Sequence, residues 1–339
     1  MVAMKNILVT GGAGFIGSNF VRYALRRYPS YNLVVYDKLT YAGNMDNLRD
    51  VEKDQRYLFV HGDIADRRDV SKTISDHQID TIINFAAETH VDRSIGSPDD
   101  FIRTDVYGVF TLLEASKEFG VDLFLQISTD EVYGSLGSIG KFKETTPYNP
   151  SSPYSASKAS ADHLVSAYVR TYKLPVVISN CCNNYGPNQH PEKLIPKIIY
   201  NLQKNLNIPI YAKGLNSREW IFVEDHVKAL IKIIESNLKN SSFNIGANQE
   251  ISNLNLVELI CSILDELEPS QYQLSVGELN GDGLINVLDV VVLSNAVLTD
   301  ENLPAGDING DGGNNVLDIV MLVNNILTGP SYEQLPTWD

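Results

Sequence analysis

Cysteine is scarce in this chain of 339 residues, which has only Cys181, Cys182 and Cys261. Three irregularly spaced cysteines argue against a disulfide framework, and adjacent cysteines rarely bridge each other because disulfide geometry is restrictive. Long apolar runs are also missing, so the sequence predicts no membrane span. The first residues lack the apolar core and the cleavage site of a secretion signal. We therefore expect a cytoplasmic protein in a reducing compartment.

Basic residues are scarce too, and unevenly distributed. The chain has 27 Lys and Arg against 42 Asp and Glu, and the resulting net charge of -15 argues against a nucleic-acid or membrane partner. Residues 277–339 contain ten acidic residues and no Lys or Arg, so residues 1–276 carry only -5 of this charge. The remaining composition, 43% apolar and 20% charged, is typical of a folded globular protein.

Strand-like and helix-like segments alternate through the first 180 residues, which predicts an α/β fold with a Rossmann-type, doubly wound parallel sheet. The predicted strands are residues 7–9, 33–36, 57–60, 81–85, 123–127 and 176–179. The predicted helices among them are residues 17–27, 101–119 and 155–172. A looser pattern with helices at 224–237 and 255–267 follows, and it predicts a smaller substrate lobe interleaved with the sheet.

The composition changes after residue 273 to Asn, Asp, Gly and aliphatic residues. This change predicts a domain boundary near residue 276. We expect a nucleotide-binding and substrate-binding module over 1–276, a small all-α domain over 277–329 and a tail over 330–339.

A glycine loop follows the first predicted strand. Gly11, Gly14 and Gly17 permit a tight turn and close approach of a pyrophosphate, and the N-terminus of the next helix favours its negative charge. Asp37 ends the second strand, 20 residues after Gly17, where a carboxylate can accept hydrogen bonds from an adenine ribose. Because this carboxylate repels a 2′-phosphate, the sequence predicts NAD rather than NADP.

Tyr154 and Lys158 lie one helical turn apart near the start of a long predicted helix. A nearby ammonium stabilises a phenolate and lowers the Tyr pKa from about 10, so that the phenolate can take a proton from a sugar hydroxyl. Thr129, Asp130 and Glu131 follow the fifth predicted strand. The two carboxylates either carry out acid–base chemistry or merely cap a loop.

Together these motifs resemble the extended short-chain dehydrogenase/reductases and, more narrowly, the dTDP-glucose 4,6-dehydratase family. The narrower resemblance spans about residues 5 to 273 and rests on residues 37–44, 86–94, 128–134 and 183–187. A simple epimerase of the same superfamily has no need of the adjacent Asp130 and Glu131.

The resemblance implies dehydration of dTDP-glucose to dTDP-4-keto-6-deoxyglucose, a step of deoxysugar (rhamnose) biosynthesis. It assigns C4 oxidation to Tyr154 with NAD, and a hydrogen bond on the C4 oxygen to Thr129. Glu131 would remove the C5 proton, Asp130 would protonate the departing C6 hydroxyl, and NADH would return hydride to C6. To act as an acid near pH 7, Asp130 needs a raised pKa, which burial and the like charge of Glu131 would provide.

The resemblance also implies ligand contacts and a homodimer. The implied cofactor contacts besides Tyr154 and Lys158 are Gly11, Gly14, Phe15, Ile16, Gly17, Asp37, Lys38, Thr40, Gly43, Asp63, Ile64, Ala86, Ala87 and Thr104. The implied substrate contacts are His90, Thr129, Asn183, Lys193, Leu194, Arg218 and Asn253. Arg218 would face the diphosphate with its forked donors. For Asp63 and Ile64, an ordinary strand-end loop is an equal alternative to an adenine contact.

The acidic C-terminal region contains a repeat at an offset of 29 residues, in which 280–283 recurs at 309–312 and 286–289 at 315–318. Each copy places oxygen-bearing side chains at positions 1, 3, 5, 9 and 12 of a loop with Gly at position 6, as a calcium loop requires. The first loop has Glu278, Asn280, Asp282, Asn286 and Asp289, and the second has Asp307, Asn309, Asp311, Asn315 and Asp318. Glu at position 1 predicts a weaker first loop.

The duplicated loop–helix unit resembles a type I dockerin, which implies bound Ca²⁺ and a cohesin-like partner. An Asx-rich turn without metal is the alternative for each loop. The pairs Val287–Leu288 and Val316–Leu317 lie where dockerins contact a cohesin, or they belong to the core of the small domain.

Two other functions stay open. The dockerin-like region stands where the dehydratases continue with a segment that closes over the nucleotide, so we expect NAD binding to survive and turnover to be weak or absent. A catalytically impaired fusion that acts through its calcium-dependent module is therefore one alternative. A NAD-dependent sugar-nucleotide epimerase is the other, and Asp130 and Glu131 argue against it.

Overall fold

The computed structural model describes residues 5–137, 140–204, 206–208, 210, 214–267, 277, 279–280, 285–299 and 301–328. These residues form two compact units. The first contains the described residues up to His190 together with Ser217–Ile251. The second contains Pro191–Asn216 and the described residues from Ser252 onward.

Strands occupy the positions that the sequence predicts, and four more follow them. In chain order the strands are β1 (Lys5–Thr10), β2 (Tyr31–Asp37), β3 (Tyr57–His61), β4 (Thr81–Asn84), β5 (Leu123–Thr129), β6 (Val176–Cys181), β7 (Asn183–Tyr185), β8 (Ser217–Phe222), β9 (Ser241–Ile245) and β10 (Glu250–Ser252). Seven of them form a parallel sheet in the order β3-β2-β1-β4-β5-β6-β9. The others form a small sheet in the order β10-β8-β7. The expected α/β fold is therefore confirmed.

Helices cover both faces of the parallel sheet. In chain order, the α-helices of the described residues in both units are α1 (Phe15–Arg27), α2 (Arg67–Asp76), α3 (Val91–Gly96), α4 (Pro98–Phe101), α5 (Val109–Phe119), α6 (Pro153–Tyr172), α7 (Leu194–Gln203), α8 (Val223–Glu235), α9 (Asn253–Leu267), α10 (Val287–Thr299) and α11 (Val316–Thr328). Two apolar clusters, one on each face, bury the central strands. Burial on both faces explains why β1, β4 and β6 read as continuous apolar runs in the sequence.

The strand order reverses between β1 and β4. Ligands of open α/β sheets bind at such a switch point, outside the carboxyl ends of the strands. The glycine loop follows β1, and β5 ends at Thr129 directly before Asp130 and Glu131, so both segments lie at this edge of the sheet.

The predicted helix over 101–119 is divided. A π-helical segment, Ile102–Gly108, separates α4 from α5. Inside it, Asp105 turns inward and accepts a hydrogen bond from the backbone N–H of Glu88, 2.9 Å away. Such wide turns are frequent at functional sites. Hydrophobic periodicity did not predict this break, because the apolar positions on either side continue one helical face.

Among the described residues of the acidic C-terminal region, α10 and α11 pack against each other and bury Leu293, Ala296 and Leu322. None of the helices that the structure describes is both long and apolar enough to cross a membrane.

Candidate active site

The glycine loop between β1 and α1 has no space for a side chain at Gly11 or Gly17. Gly11 has a φ of +65°, and a Cβ there would lie 2.6 Å from the backbone nitrogen of Ala86. A Cβ on Gly17 would collide with the carbonyl oxygen of Gly11. The loop therefore forms a cradle of backbone atoms at the N-terminus of α1, a geometry that fits a pyrophosphate.

Asp37 closes this cradle from the end of β2. Its side chain is 8% exposed. One carboxylate oxygen accepts the N–H of Ala13 at 2.9 Å and the other accepts the N–H of Leu39 at 2.8 Å. Burial is the largest influence on the pKa of Asp37 and raises it, while the two N–H groups oppose the rise. The carboxylate is thus held in one orientation beside the loop.

Three of the predicted cofactor residues, Lys38, Thr40 and Thr104, line one cavity of about 480 Å³ together with Glu88 and Phe101. The structure therefore brings together residues that lie up to 66 positions apart in the sequence.

Asp63 has structural partners at the neighbouring strand end. It forms an ion pair with Lys38 at 2.9 Å and accepts the N–H of Ala65 at 2.9 Å. Ile64 is buried against Gly108, where an added Cβ would lie 2.6 Å from the Ile64 side chain. The adenine contact of Asp63 and Ile64 stays a prediction.

Helix α6 carries Tyr154 and Lys158 in its first turns. Ser152 caps the helix by accepting the N–H of Ser155, and Pro153 occupies the first turn, where its missing N–H is not needed. Lys158 is buried, and its ammonium donates a hydrogen bond to the carbonyl oxygen of Ile127 in β5, 2.8 Å away. The helix is thereby fastened to the strand that precedes Thr129.

The surroundings of Tyr154 favour its neutral phenol. Burial raises the pKa of Tyr154 well above its usual range, the negative charges of Glu131 and Asp105 add to the rise, and a hydrogen bond from Thr129 opposes it. The ammonium of Lys158 also faces the buried carboxylates of Asp105 and Asp162. The expected stabilisation of the phenolate by Lys158 therefore stays a prediction.

Asp130 and Glu131 begin a short 3₁₀ turn directly after β5, and Thr129 caps it by accepting the N–H of Glu131 at 3.2 Å. Burial raises the pKa of Asp130 to about 6, and the neighbouring charge of Glu131 is the second cause. Arg218 opposes this rise. The direction and both causes agree with the sequence-based expectation, and a carboxyl group near this pKa can donate a proton at neutral pH.

The raised pKa of Asp130 predicts a pH-dependent gain in stability for Asp130→Asn. A group whose folded pKa is about 6 and whose unfolded pKa is 3.8 destabilises the fold progressively as the pH rises through this interval. The variant removes that destabilisation, so its melting temperature should exceed that of the parent by a few degrees at pH 8 and match it near pH 4. Thermal unfolding at both pH values measures this.

Asp76→Asn is the matched control, because Asp76 is an exposed residue and Lys72 lowers its pKa. Its melting temperature should be equal to or below that of the parent at pH 8. Equal melting temperatures of Asp130→Asn and the parent at pH 8 would contradict the assigned pKa.

The predicted substrate residues divide between the two units. In the first unit, Asn183 donates a side-chain hydrogen bond to the carbonyl oxygen of Glu219 at 3.3 Å, and His90 lies at the N-terminus of α3. In the second unit, Lys193 is the N-cap residue of α7, Leu194 begins that helix, and Asn253 begins α9.

Two buried carboxylates beside Lys158 were not predicted. Asp105 accepts the hydroxyl of Ser157 at 2.7 Å, and Asp162 accepts the hydroxyl of Ser128 at 2.5 Å. Both side chains are 1% exposed. The spacing of four between Lys158 and Asp162 places both on one helix face and could have indicated the second carboxylate.

The second calcium loop brings its predicted ligands together. Carboxylate oxygens of Asp307, Asp311 and Asp318 all lie within 4.8 Å of one another. Such a cluster of oxygen atoms suits the hard cation Ca²⁺. The carboxylate of Asp318 is fully buried and accepts the N–H groups of Ile308 and Asn309 at 2.9 and 3.0 Å.

The first loop repeats the same hydrogen bonds 29 residues earlier. Asp289 is also fully buried, and it accepts the N–H groups of Leu279 and Asn280 at 2.7 and 3.1 Å. Asn286 donates its N–H to Asp289, as Asn315 does to Asp318. Glu278 and Asp282 lie outside the described residues.

The parallel sheet, the glycine loop and the Tyr154–Lys158 pair define an extended short-chain dehydrogenase/reductase. Residues 8–280 match the family model of GDP-mannose 4,6 dehydratase. Within that class, the chain belongs to the dTDP-glucose 4,6-dehydratase family. Residues 276–327 match the dockerin type I domain, which accounts for the acidic repeat.

The similarity is high over most of the chain. A dTDP-glucose 4,6-dehydratase of Neisseria gonorrhoeae is 49% identical over 277 residues, which are 79% of this chain and 80% of the relative. A dTDP-glucose 4,6-dehydratase of Streptomyces venezuelae, solved with NAD, has a TM-score of 0.74 at 44% identity. The match covers 79% of this chain and 83% of the Streptomyces venezuelae chain.

A solved UDP-glucose 4-epimerase of Thermotoga maritima has a TM-score of 0.71 at 29% identity, and the match covers 80% of this chain and 84% of the epimerase. The fold is therefore shared with epimerases. Because the identity to this epimerase is lower than the identity to the dehydratases, the comparison favours the dehydratase family.

Proposed function

We propose that this chain dehydrates dTDP-glucose to dTDP-4-keto-6-deoxyglucose with bound NAD, and that its dockerin-like region binds Ca²⁺ and a cohesin-like partner. The observation that carries the enzymatic part is the Asp130–Glu131 pair beside Tyr154 at the carboxyl edge of the sheet. An epimerase needs no such pair, because it eliminates no water.

NAD fits the backbone cradle of Gly11, Gly14 and Gly17, with Asp37 as the acceptor for the adenine ribose hydroxyls. Bound NAD supplies the acceptor and the donor of hydride for a reaction that leaves the cofactor unchanged overall. Lys38, Thr40 and Thr104 complete the proposed contacts from the wall of the adjacent cavity.

The chain's own residues move protons in the proposed reaction. Tyr154 must be a phenolate to take the proton of the C4 hydroxyl as C4 is oxidised, so the ammonium of Lys158 has to offset the burial that raises the pKa of Tyr154. Thr129 hydrogen-bonds the resulting carbonyl oxygen. The carbonyl acidifies the C5–H bond, so Glu131 can remove that proton, and the protonated Glu131 can return it to C5 once hydride has been returned to C6. Asp130 donates its proton to the C6 hydroxyl, which leaves as water. The raised pKa of Asp130 keeps this proton available near neutral pH.

Incubating the full chain with NAD and dTDP-glucose tests the proposal directly. Formation of the 4-keto-6-deoxy sugar, detected by its absorbance in alkali, supports the dehydratase. We expect a rate below that of the relatives, because the Neisseria gonorrhoeae match leaves about a fifth of that relative without a counterpart here. No product and no reduced cofactor would instead favour the catalytically impaired fusion.

Asp37→Asn should weaken NAD binding by about 10-fold and narrow the preference for NAD over NADP. The variant keeps the side-chain shape but removes the charge that accepts ribose hydroxyls and repels a 2′-phosphate; a hydrogen bond to a charged group contributes about 1.5–3 kcal/mol. Titrating both cofactors by calorimetry measures the change. Asp54→Asn is the control, because Asp54 pairs with Arg56 away from the glycine loop. Unchanged affinities in Asp37→Asn would contradict the assigned role.

The interaction surface proposed for the dockerin-like region consists of the pairs Val287–Leu288 and Val316–Leu317. Their exposed fractions are 66% and 59% in the first pair, and 64% and 63% in the second. This exposure argues against the alternative that the pairs form the core of the small domain. The two pairs occupy equivalent positions at the N-termini of α10 and α11.

A homodimer is proposed for the enzyme module. Ile102 and Tyr107 of the π-helical segment are 54% and 52% exposed, and Tyr172 at the end of α6 is 51% exposed. Large apolar side chains exposed in this way mark association surfaces when they are contiguous. Sedimentation equilibrium of the full chain distinguishes monomer from dimer.

We place the enzyme in the cytoplasm and the domain boundary near residue 276. Cys181 and Cys182 are buried free thiols, which suits a reducing compartment. The two family matches meet at residues 276–280, which supports the boundary.

A further inference from the structure

Asp162 is a fully buried carboxylate that the proposed reaction does not use. It lies on α6, one turn after Lys158 and two turns after Tyr154, and its side chain is 1% exposed. Its Oδ2 atom accepts the hydroxyl of Ser128 at 2.5 Å and the hydroxyl of Tyr148 at 3.2 Å. Buried carboxylates are retained only where such partners offset the loss of hydration.

Ser128 is the last residue before the turn that carries the acid–base groups. Thr129, Asp130 and Glu131 follow it without a gap. Ile127 immediately precedes Ser128, and its carbonyl oxygen accepts a hydrogen bond from the ammonium of Lys158 at 2.8 Å. Helix α6 therefore holds two consecutive residues of β5, one through Lys158 and the other through Asp162.

This arrangement connects the two halves of the proposed reaction. Tyr154 and Lys158 act at C4 from α6, whereas Asp130 and Glu131 act at C5 and C6 from the end of β5. The reacting carbons are adjacent in one sugar ring, so the two protein elements must keep a fixed spacing. A misplacement of about 1 Å can lower a rate by about 100-fold.

We propose that Asp162 is a positioning residue which, through Ser128, fixes the Thr129–Glu131 turn against the helix that carries Tyr154 and Lys158. The kinetic consequence rests on the proposed function. The structural consequence does not, because it concerns only the order of the turn.

Three variants separate the acceptor atom from the charge. Ser128→Ala removes the donor, and Asp162→Leu removes the acceptor at similar volume. Asp162→Asn keeps an oxygen that can accept the Ser128 hydroxyl, so it should retain the positioning. Tyr168→Phe is the matched control, because Tyr168 donates to the carboxylate of Glu114 at 2.7 Å from the far end of the same helix.

Amide hydrogen exchange of the full chain, with calcium and NAD present, tests the structural consequence. We expect exchange within residues 129–134 to rise by at least about 10-fold in Ser128→Ala and Asp162→Leu, and to stay near the parent value in Asp162→Asn and Tyr168→Phe. Unchanged exchange in Ser128→Ala, or a rise of equal size throughout the first unit, would overturn the proposal.

A single turnover followed at the absorbance of the reduced nicotinamide tests the kinetic consequence. Ser128→Ala should slow elimination more than C4 oxidation, so reduced cofactor should accumulate above the parent level. An equal slowing of both steps contradicts the positioning role. If the exchange result is as expected while the parent produces neither reduced cofactor nor keto sugar, the proposed function fails and the positioning of the turn stands.

Discussion

Glu131→Gln reduces the formation of keto sugar from dTDP-glucose by at least about 100-fold, the lower range for the loss of a general base. Glutamine has nearly the shape of glutamate but cannot accept the C5 proton. Tyr154 and Lys158 lie on a different element, α6, and the substitution only removes one of the charges that raise the pKa of Tyr154. C4 oxidation should therefore proceed, and reduced cofactor should appear without product.

Glu131→Gln should also lower the pKa of its neighbour. The charge of Glu131 is the second cause, after burial, that raises the pKa of Asp130 to about 6. Removing this charge makes Asp130 a stronger acid and leaves less of it protonated at neutral pH. Raising the pH should therefore not restore product, because it would leave still less Asp130 protonated even if another base could replace Glu131.

The measurement combines two signals in one experiment: the absorbance of reduced cofactor during a single turnover and the alkaline absorbance of the keto sugar at its end. Glu118→Gln is the control, because Glu118 is an exposed glutamate paired with Arg67 at 3.6 Å. The control should retain the parent rate. Product formation by Glu131→Gln at the parent rate would refute the assignment of the base.

Asp318→Ala abolishes tight calcium binding by the dockerin-like region. Asp318 is one of three clustered carboxylates of the second loop, and it also accepts two N–H groups at the start of the loop. The substitution removes a ligand and leaves these buried N–H groups without their acceptor. We expect the calcium affinity of this loop to fall by at least about 100-fold, since ligand charge count sets the affinity of such sites.

Asp289→Ala provides the matched comparison within the same chain, because Asp289 makes the same hydrogen bonds in the first loop. Glu278 occupies position 1 of that loop, so its calcium affinity should already be lower and the substitution should remove only the weaker site. Calorimetric titration of the full chain with calcium, repeated on both variants, distinguishes the two loops. No heat at millimolar calcium from the parent would contradict both sites.

The effect should remain confined to the dockerin-like region. Chelation of calcium should abolish binding to a cohesin, because the exposed pairs at the start of α10 and α11 directly follow the proposed calcium ligands Asn286 and Asn315. Reduction of NAD by dTDP-glucose should be equal with and without calcium. A parallel loss of both activities would contradict the division near residue 276.

Much of the fold could be predicted because short sequence patterns indicate its strands, helices and glycine loop. Alternating apolar strands and helices predicted the central sheet, and the glycine spacing with Asp37 predicted the cradle. Periodicity failed at Ile102–Gly108, where the buried Asp105 accepts the N–H of Glu88 and a π-helical segment separates two helices. A contact between residues 17 positions apart leaves no periodic signal in either segment.

The sequence by itself determined the residue types of the site, their order along the chain and the duplicated calcium loops, because each depends on short spacings within one element. Only the tertiary structure decided the electrostatics. Burial raises the pKa of Tyr154, and the packing of distant segments brings the carboxylate of Asp105 close to Lys158. Desolvation depends on how distant segments pack, and spacing along the chain does not encode it.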